Sequence, residues 1–412
     1  MMQVLIIAYV LPEPKSTGSG ARMMELIRLF LAQGWSVHMA SPAQATDYSE
    51  DLSALGIKTS EIVVNSSSFD DFIAKMNPNI VLFDRFVMEE QFGWRVAKHC
   101  SQALRILETI DLHCLREARH QQTKRTHAVA LEPDKEDLYS DIALREIAAI
   151  YRSDISLLIS DYECEVLDKY FSVPKDILHL CPFMIAPSTQ RMPAFSEREH
   201  FISIGNFRHA PNWDAVLWLK QEIWPLIRQQ LPQAELHIYG AYTPPKATAL
   251  NNAKEGFFIK DRAEDVLEVM QQARINLAPL RFGAGIKTKL ADAMFAGTPS
   301  VATSVGAEGM TGGLAWGGSI ADDAQGFADA AVALYQDESA WKKAQHRGTA
   351  ILESLFEPTN NGQALLERVQ QTMENLKQHR QNNFTGQMLN HHHHRSSEFM
   401  SRWIEAKNKT TD

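Results

Sequence analysis

Short apolar runs recur along the first half of the chain, and between them apolar residues return every three or four positions. Val4–Tyr9, Ser36–Ala40, Glu61–Val64, Ile80–Asp84, Arg105–Thr109, Ile155–Ser160 and Ile177–Leu180 read as strands, and Ala21–Gln33, Phe69–Met76, Glu89–His99 and Ser140–Tyr151 as helices. Strand, helix, strand in series predicts a parallel sheet covered on both faces. The pattern then restarts. Phe201–Ile204, Glu235–Tyr239, Phe257–Ile259, Ile275–Ala278 and Ser300–Thr303 are strand-like, and Asn212–Gln230 has helical periodicity. The break falls in Pro182–Glu199, rich in proline, serine and charge, which reads as a linker. The expected organisation is a Rossmann-like α/β domain over 1–185, a linker over 186–199, and a second Rossmann-like domain over 200–360. Beyond Arg380 the periodicity fades, so 380–412 is expected to be a flexible tail, in which Ser401–Lys407 could form a short helix without an assigned function. Its His391–His394 run reads as low-complexity sequence with adventitious metal affinity rather than a built metal site.

Composition narrows the function. A chain of 412 residues is long enough for two cores. Its net charge of −9 argues against nucleic acid as the main partner, which would need a dominant basic surface. Cys100, Cys114, Cys164 and Cys181 show no CxxC spacing and read as reduced thiols. The opening MMQVLIIAYVLPEP lacks a basic region and a small-residue cleavage site, so it reads as a buried strand rather than a signal peptide. No apolar run approaches the roughly 18 residues of a membrane span. These features point to a cytoplasmic protein. Basic residues outnumber acidic ones between Arg95 and His127, with Arg95, Lys98, Arg105, Arg116, Arg119, Lys124 and Arg125 against Glu108, Asp111 and Glu117. A solvated helix face is the plainer reading, and attraction to an anionic membrane or a lipid-diphosphate acceptor is the functional one.

The densest chemistry lies in Pro279–Met310. Gly283 and Gly285 flank a turn that runs into a helix carrying Lys287, Lys289 and Asp292. Unpaired N–H groups at a helix start attract anions, and lysines add point charges, so this is a candidate site for a phosphorylated ligand. Asp292 follows Thr288 by four residues and Lys289 by three, which puts all three on one helix face, where a carboxylate could accept from sugar hydroxyls. A second glycine loop, PEPKSTGSGAR, precedes the first helix; Gly18 and Gly20 permit close backbone approach. It is neither a phosphate-binding GK[ST] loop nor a dinucleotide fingerprint, since Met23 stands where a third glycine would. Asp111, His113, Arg116 and Arg119 cluster just beyond the strand Arg105–Thr109, at the end where α/β proteins bind ligands. Asp111 could orient His113, or it could cap the next helix.

The segment from Pro279 resembles the donor-nucleotide motif of family 4 retaining glycosyltransferases, which have the GT-B fold: two Rossmann-like domains facing across a cleft. The usual motif has two glutamates separated by seven residues. Asp292 matches the second position, and Ala284 stands at the first. The run Gly283, Gly285, Ile286, Lys287, Lys289 resembles a GxGIKxK variant of that motif. The resemblance implies donor contacts at Gly18, Gly20, Gly283, Ala284, Gly285, Ile286, Thr288 and Asp292. It implies a sugar contact at His113, and phosphate contacts at Arg208 and at Lys287 or Lys289. Catalysis would then rest on His113, Lys287, Lys289 and Arg208 holding the leaving diphosphate, without metal or cofactor. Ser160 stands in a "vS..E" signature, where an N-cap is the preferred reading. Glu308 stands where ribose or base contacts can fall. Asn361–Gln378 is the candidate for a helix crossing back to the first domain. The implied activity moves a sugar from a nucleotide diphosphate-sugar to a glycan or lipid-linked acceptor, with peripheral association at the inner membrane face. A catalytically silent scaffold subunit and a nucleotide-sugar epimerase stay open as alternatives; a nicotinamide dehydrogenase is disfavoured because neither glycine loop completes its fingerprint.

Overall fold

A computed structural model describes residues 2–186 and 191–409, together with the helical path but not the side chains of 393–395 and 409. Residues 187–190, inside the expected linker, lie outside the described residues, as do Met1 and 410–412. The first sheet has seven strands: β1 (Gln3–Ile7), β2 (Ser36–Ser41), β3 (Lys58–Glu61), β4 (Ile80–Asp84), β5 (Leu104–Glu108), β6 (Ile155–Leu158) and β7 (Leu178–Leu180). Their order is β3-β2-β1-β4-β5-β6-β7, and every pairing is parallel. The second sheet has β8 (Phe201–Ile204), β9 (Leu236–Tyr239), β10 (Phe257–Ile259), β11 (Ile275–Ala278), β12 (Ser300–Ala302) and β13 (Gly318–Ile320), in the parallel order β10-β9-β8-β11-β12-β13. Both orders reverse direction at the first strand of their sheet, so each domain has its ligand crevice at the carboxyl ends of the strands beside that point.

The apolar runs are strands because each is buried on both faces. β1, β4, β5 and β6 are almost wholly inaccessible, with helices packed above and below. Two strands depart from the expectation. β3 lies a little earlier than Glu61–Val64, because it is an exposed edge strand with a polar sequence, KTSE, that carries no apolar signal. β13 is three residues long and two of them are small, so no periodicity marks it.

The chain passes between the domains twice, and the passages lie side by side. Ile185 N–H donates to Phe356 O at 2.8 Å, and Asn361 donates to both Phe183 O and Leu355 O. The second passage leads into the helix Pro358–Glu374, which buries Leu365 and Val369 among first-domain residues such as Met24 and Phe30.

Residues 380–412 are not a loose tail over the described part. Leu376–Asn382 and Phe384–Lys409 are helical, and the latter packs on the helices Phe86–His99 and Asp141–Arg152. The attachment is polar, which is why apolar periodicity did not announce it: Arg380 meets Asp154 at 2.8 Å and Lys98 meets Glu398 at 2.8 Å. The His391–His394 run lies within this helix. The expected basic patch is broken up: Lys98, Lys124 and Arg125 are exposed, but its other members are wholly or partly buried. Arg95, Arg105 and Arg119 are buried, Arg95 against Asp70 and Arg105 beside Asp154.

Candidate active site

The glycine turn leaves β11 at the carboxyl end of its sheet and leads into the helix Thr288–Phe295. Gly285 has φ +61°, and a Cβ there would stand 2.9 Å from the Cβ of Asp111 and 3.3 Å from Ile110 O. Only glycine satisfies both the conformation and the approach. The second-domain turn therefore rests directly on the first-domain loop that follows β5. That loop is strained, since Ile110, a β-branched residue, has φ +65°. Two buried acidic side chains hold it: Ile110 N–H donates to Glu108 and Leu112 N–H donates to Glu163 at 2.7 Å. Arg22 secures Glu108 in turn.

The expected donor residues fall on both sides of this contact. Thr17 caps the helix Gly18–Ala32 by accepting from Gly20 N–H, and Gly18 presses against Thr288. Gly20 packs on the backbone of Glu13. Ala284 packs against the first-domain core, while Ile286 joins the cluster of Ile159 and Leu290. Lys287 stands at the N-cap position without capping, and its Nζ donates to Gly285 O at 2.7 Å. Gly283 O accepts from Arg119.

The two lysines have different surroundings. Lys287 is buried; burial lowers its pKa and Glu308 opposes that shift. Lys289 donates to Asn212 Oδ1 at 2.6 Å, and burial together with Lys287 pushes it down to about 7. The Asp292 carboxyl group has no hydrogen-bond partner among the described residues, and burial followed by repulsion from Glu25 pushes its pKa up to about 7.

Arg119 was legible only as one of a charged group. It is fully buried and pairs through both terminal nitrogens with Glu308, at 2.9 and 2.5 Å, across the domain boundary. Asp111 pairs with Arg116; burial alone would raise its pKa, but Arg116 and His113 hold it below the usual carboxylate range. Burial and the neighbouring Asp111 push Glu163 up to about 8, so it holds a proton at neutral pH. His113 is fastened rather than free: Glu146 accepts from its backbone N–H and meets its Nδ1 at 3.1 Å, and Phe86 packs edge-on. Glu146 also accepts from Cys114 N–H, so it caps this helix, not Asp111. Ser160 occupies an N-cap position but makes no cap bond; its hydroxyl lies against Gly309 of the second domain.

Arg208 joins none of these contacts. It stacks on the Tyr242 ring at 3.6 Å, and the Tyr242 hydroxyl donates to Glu13 at 3.0 Å, again across the cleft. Nothing in the sequence marked Glu146, Glu13 or Tyr242, because their partners are 32 to 229 positions away.

Residues 198–337 match the family described as Glycosyl transferases group 1. That stretch is the second domain, with the glycine turn, both lysines and Asp292. The second domain is a glycosyltransferase group 1 domain. No curated protein matches its sequence. Similar solved structures include a sucrose-phosphate synthase from Thermosynechococcus elongatus, at 15% identity and TM-score 0.65, covering 91% of this chain and 100% of that one. TarM of S. aureus, solved with UDP, aligns at 9% identity and TM-score 0.65 over 90% of this chain and 100% of its own. HepE of Anabaena, solved with UDP-glucose, aligns at 10% identity and TM-score 0.62 with the same coverage. At these identities the likeness is one of fold. Among the described residues, no helix is long and apolar enough to cross a membrane.

Proposed function

We propose that the enzyme moves a sugar from a nucleotide diphosphate-sugar to a hydroxyl of a glycan or lipid-linked saccharide, with retention of configuration and without a metal, at the inner membrane face. One observation carries this reading: the glycine turn and its lysine-bearing helix meet the Thr17–Gly18 loop and the Asp111 loop where the carboxyl ends of both sheets converge. The helix start, Lys287 and Lys289 would neutralise the diphosphate as the glycosidic bond breaks, which is electrostatic stabilisation of developing charge. Arg208 would reach the phosphates by leaving Tyr242. With Ala284 in place of an acid, Asp111, whose Cβ lies against Gly285, would be the carboxyl group that faces the sugar, with His113 beside it. Asp292 would accept from ribose hydroxyls.

A thermal-shift panel of UDP, GDP, dTDP, ADP and CMP tests this. A ligand that binds only the folded state at a hundredfold excess over Kd adds about 2.7 kcal/mol of stability. One nucleotide diphosphate should raise Tm in the parent protein and lose that effect in Lys287→Ala or Lys289→Ala. No response to any nucleotide at millimolar concentration would favour a silent scaffold subunit, a reading that the packed Ala284 supports.

A further inference from the structure

The helix Phe384–Lys409 has its polar face inward and its apolar face outward. Toward the first domain it presents Asn390 to Arg105 at 3.2 Å, Glu398 to Lys98 at 2.8 Å, Ser401 to Arg95 at 3.0 Å and Glu405 to Ser67 at 2.6 Å. Toward solvent it presents Phe399, Met400 and Trp403, which are 66%, 58% and 59% exposed, and Met388 lies along the same side. A helix kept on a domain by burial does the reverse. A cluster of large apolar side chains left outside marks a surface that meets something else.

Charge says what that is. Both carboxylates of the described helix, Glu398 and Glu405, are engaged on the inward side. The exposed ionic side chains beside the apolar cluster are cations: Arg402, which also reaches Glu398, and Lys407, which lies 5.3 Å from the centre of the Trp403 ring. Tryptophan with flanking cations suits the headgroup level of a bilayer, where the ring straddles the boundary and the cations meet phosphates. A second copy fits poorly, because face-to-face pairing would bring the Arg402 and Lys407 cations of the two copies onto one interface.

We propose that the Phe399, Met400 and Trp403 face docks on an anionic lipid surface, with Arg402 and Lys407 among the headgroups. This is a different surface from the Arg95–His127 segment, whose arginines are largely buried. Docking there rests, for its purpose, on the membrane-side acceptor proposed above. Lipid binding is measured apart from sugar transfer and nucleotide binding, so either can fail alone.

The experiment is sedimentation of the full-length protein with vesicles of phosphatidylglycerol and phosphatidylethanolamine, and separately with phosphatidylcholine. The parent protein should bind the anionic vesicles and release at about 0.5 M salt, where charge attraction is screened. The variant Phe399→Ser/Met400→Ser/Trp403→Ser should bind about tenfold less or weaker, with unchanged Tm and unchanged nucleotide response. Should its Tm fall, Arg402→Glu/Lys407→Glu keeps the apolar cluster and should lose the preference for anionic vesicles. Equal binding by parent and variants, or no binding by the parent, would overturn the proposal. So would a concentration-dependent dimer that the serine variant dissolves, since the face would then belong to a second copy.

Discussion

Gly18 and Thr288 meet across the two domains so closely that a Cβ on Gly18 would stand 2.1 Å from the Thr288 hydroxyl oxygen. Gly18→Ala should therefore hold the glycine loop away from the second-domain helix. Overpacking of this kind costs about 1–3 kcal/mol. The nucleotide diphosphate Kd should rise accordingly, with a smaller fall in Tm. Combining it with Thr288→Ala removes the hydroxyl and should recover part of the affinity, though the Thr288 Cβ at 3.1 Å would still crowd it. A double-mutant cycle on Kd measures the coupling; strict additivity would mean the two residues part when ligand binds.

The Arg119–Glu308 pair ties the helix His113–Thr126 to the second domain from inside. Removing one partner of a buried pair costs about 3–5 kcal/mol, because the other charge is left uncompensated. Arg119→Ala should lower denaturant stability by that order, and Arg119→Lys should restore little, since a lysine cannot make the two-pronged contact. A loss under about 1 kcal/mol would place the pair among solvent-screened ones.

Lys289, with a pKa of about 7, is largely neutral at pH 8 in the free protein. A diphosphate favours its charged form, so binding at pH 8 should take up a proton. Calorimetry in buffers of different ionisation enthalpy should detect that uptake in the parent protein and show less of it in Lys289→Met. Lys287→Met, which removes one of the causes that depress Lys289, should weaken binding and reduce the uptake without abolishing it.

Asp292 makes the opposite demand. Its pKa is raised in the folded protein to about 7, so the folded state holds a proton that the unfolded state releases near pH 4. Its charge therefore costs stability progressively as pH rises from about 4 to 7, and fully above 7. Asp292→Asn should raise Tm at pH 8, leave it near the parent value at pH 4, and still weaken donor binding if the carboxylate meets the ribose. A variant less stable than the parent at pH 8 would show that Asp292 has stabilising partners.

The strands were legible because parallel sheets bury both faces, so Val4–Tyr9 or Ile80–Asp84 stand out as apolar runs. The glycine turn was legible because its glycines and lysines are neighbours in sequence. Arg119 and Glu308 are 189 positions apart, and neither lies in a pattern that names the other. Glu146 was hidden for a similar reason: its place beneath His113 depends on how two helices pack, which no local spacing records. Of the helix Phe384–Lys409, only Ser401–Lys407 is legible as helical, because the tail lacks the inward-facing apolar stripe that usually marks a packed helix. Here the inward side is Asn390, Glu398, Ser401 and Glu405, and the stripe points away.

The side-by-side passages at Phe183–Ile185 and Leu355–Asn361 have a mechanical consequence. A single connecting strand would let one domain twist and slide as well as swing. Two strands bonded to each other behave like a door hung on two pins, which leaves one axis of rotation. The free edge of that door lies away from the pins, where the Tyr242 hydroxyl latches onto Glu13. Opening far enough to admit a donor or release a product would first break that latch, and Arg208 rides on the same ring. If Arg208 takes up phosphate as proposed, that capture and the release of the door would be one mechanical event.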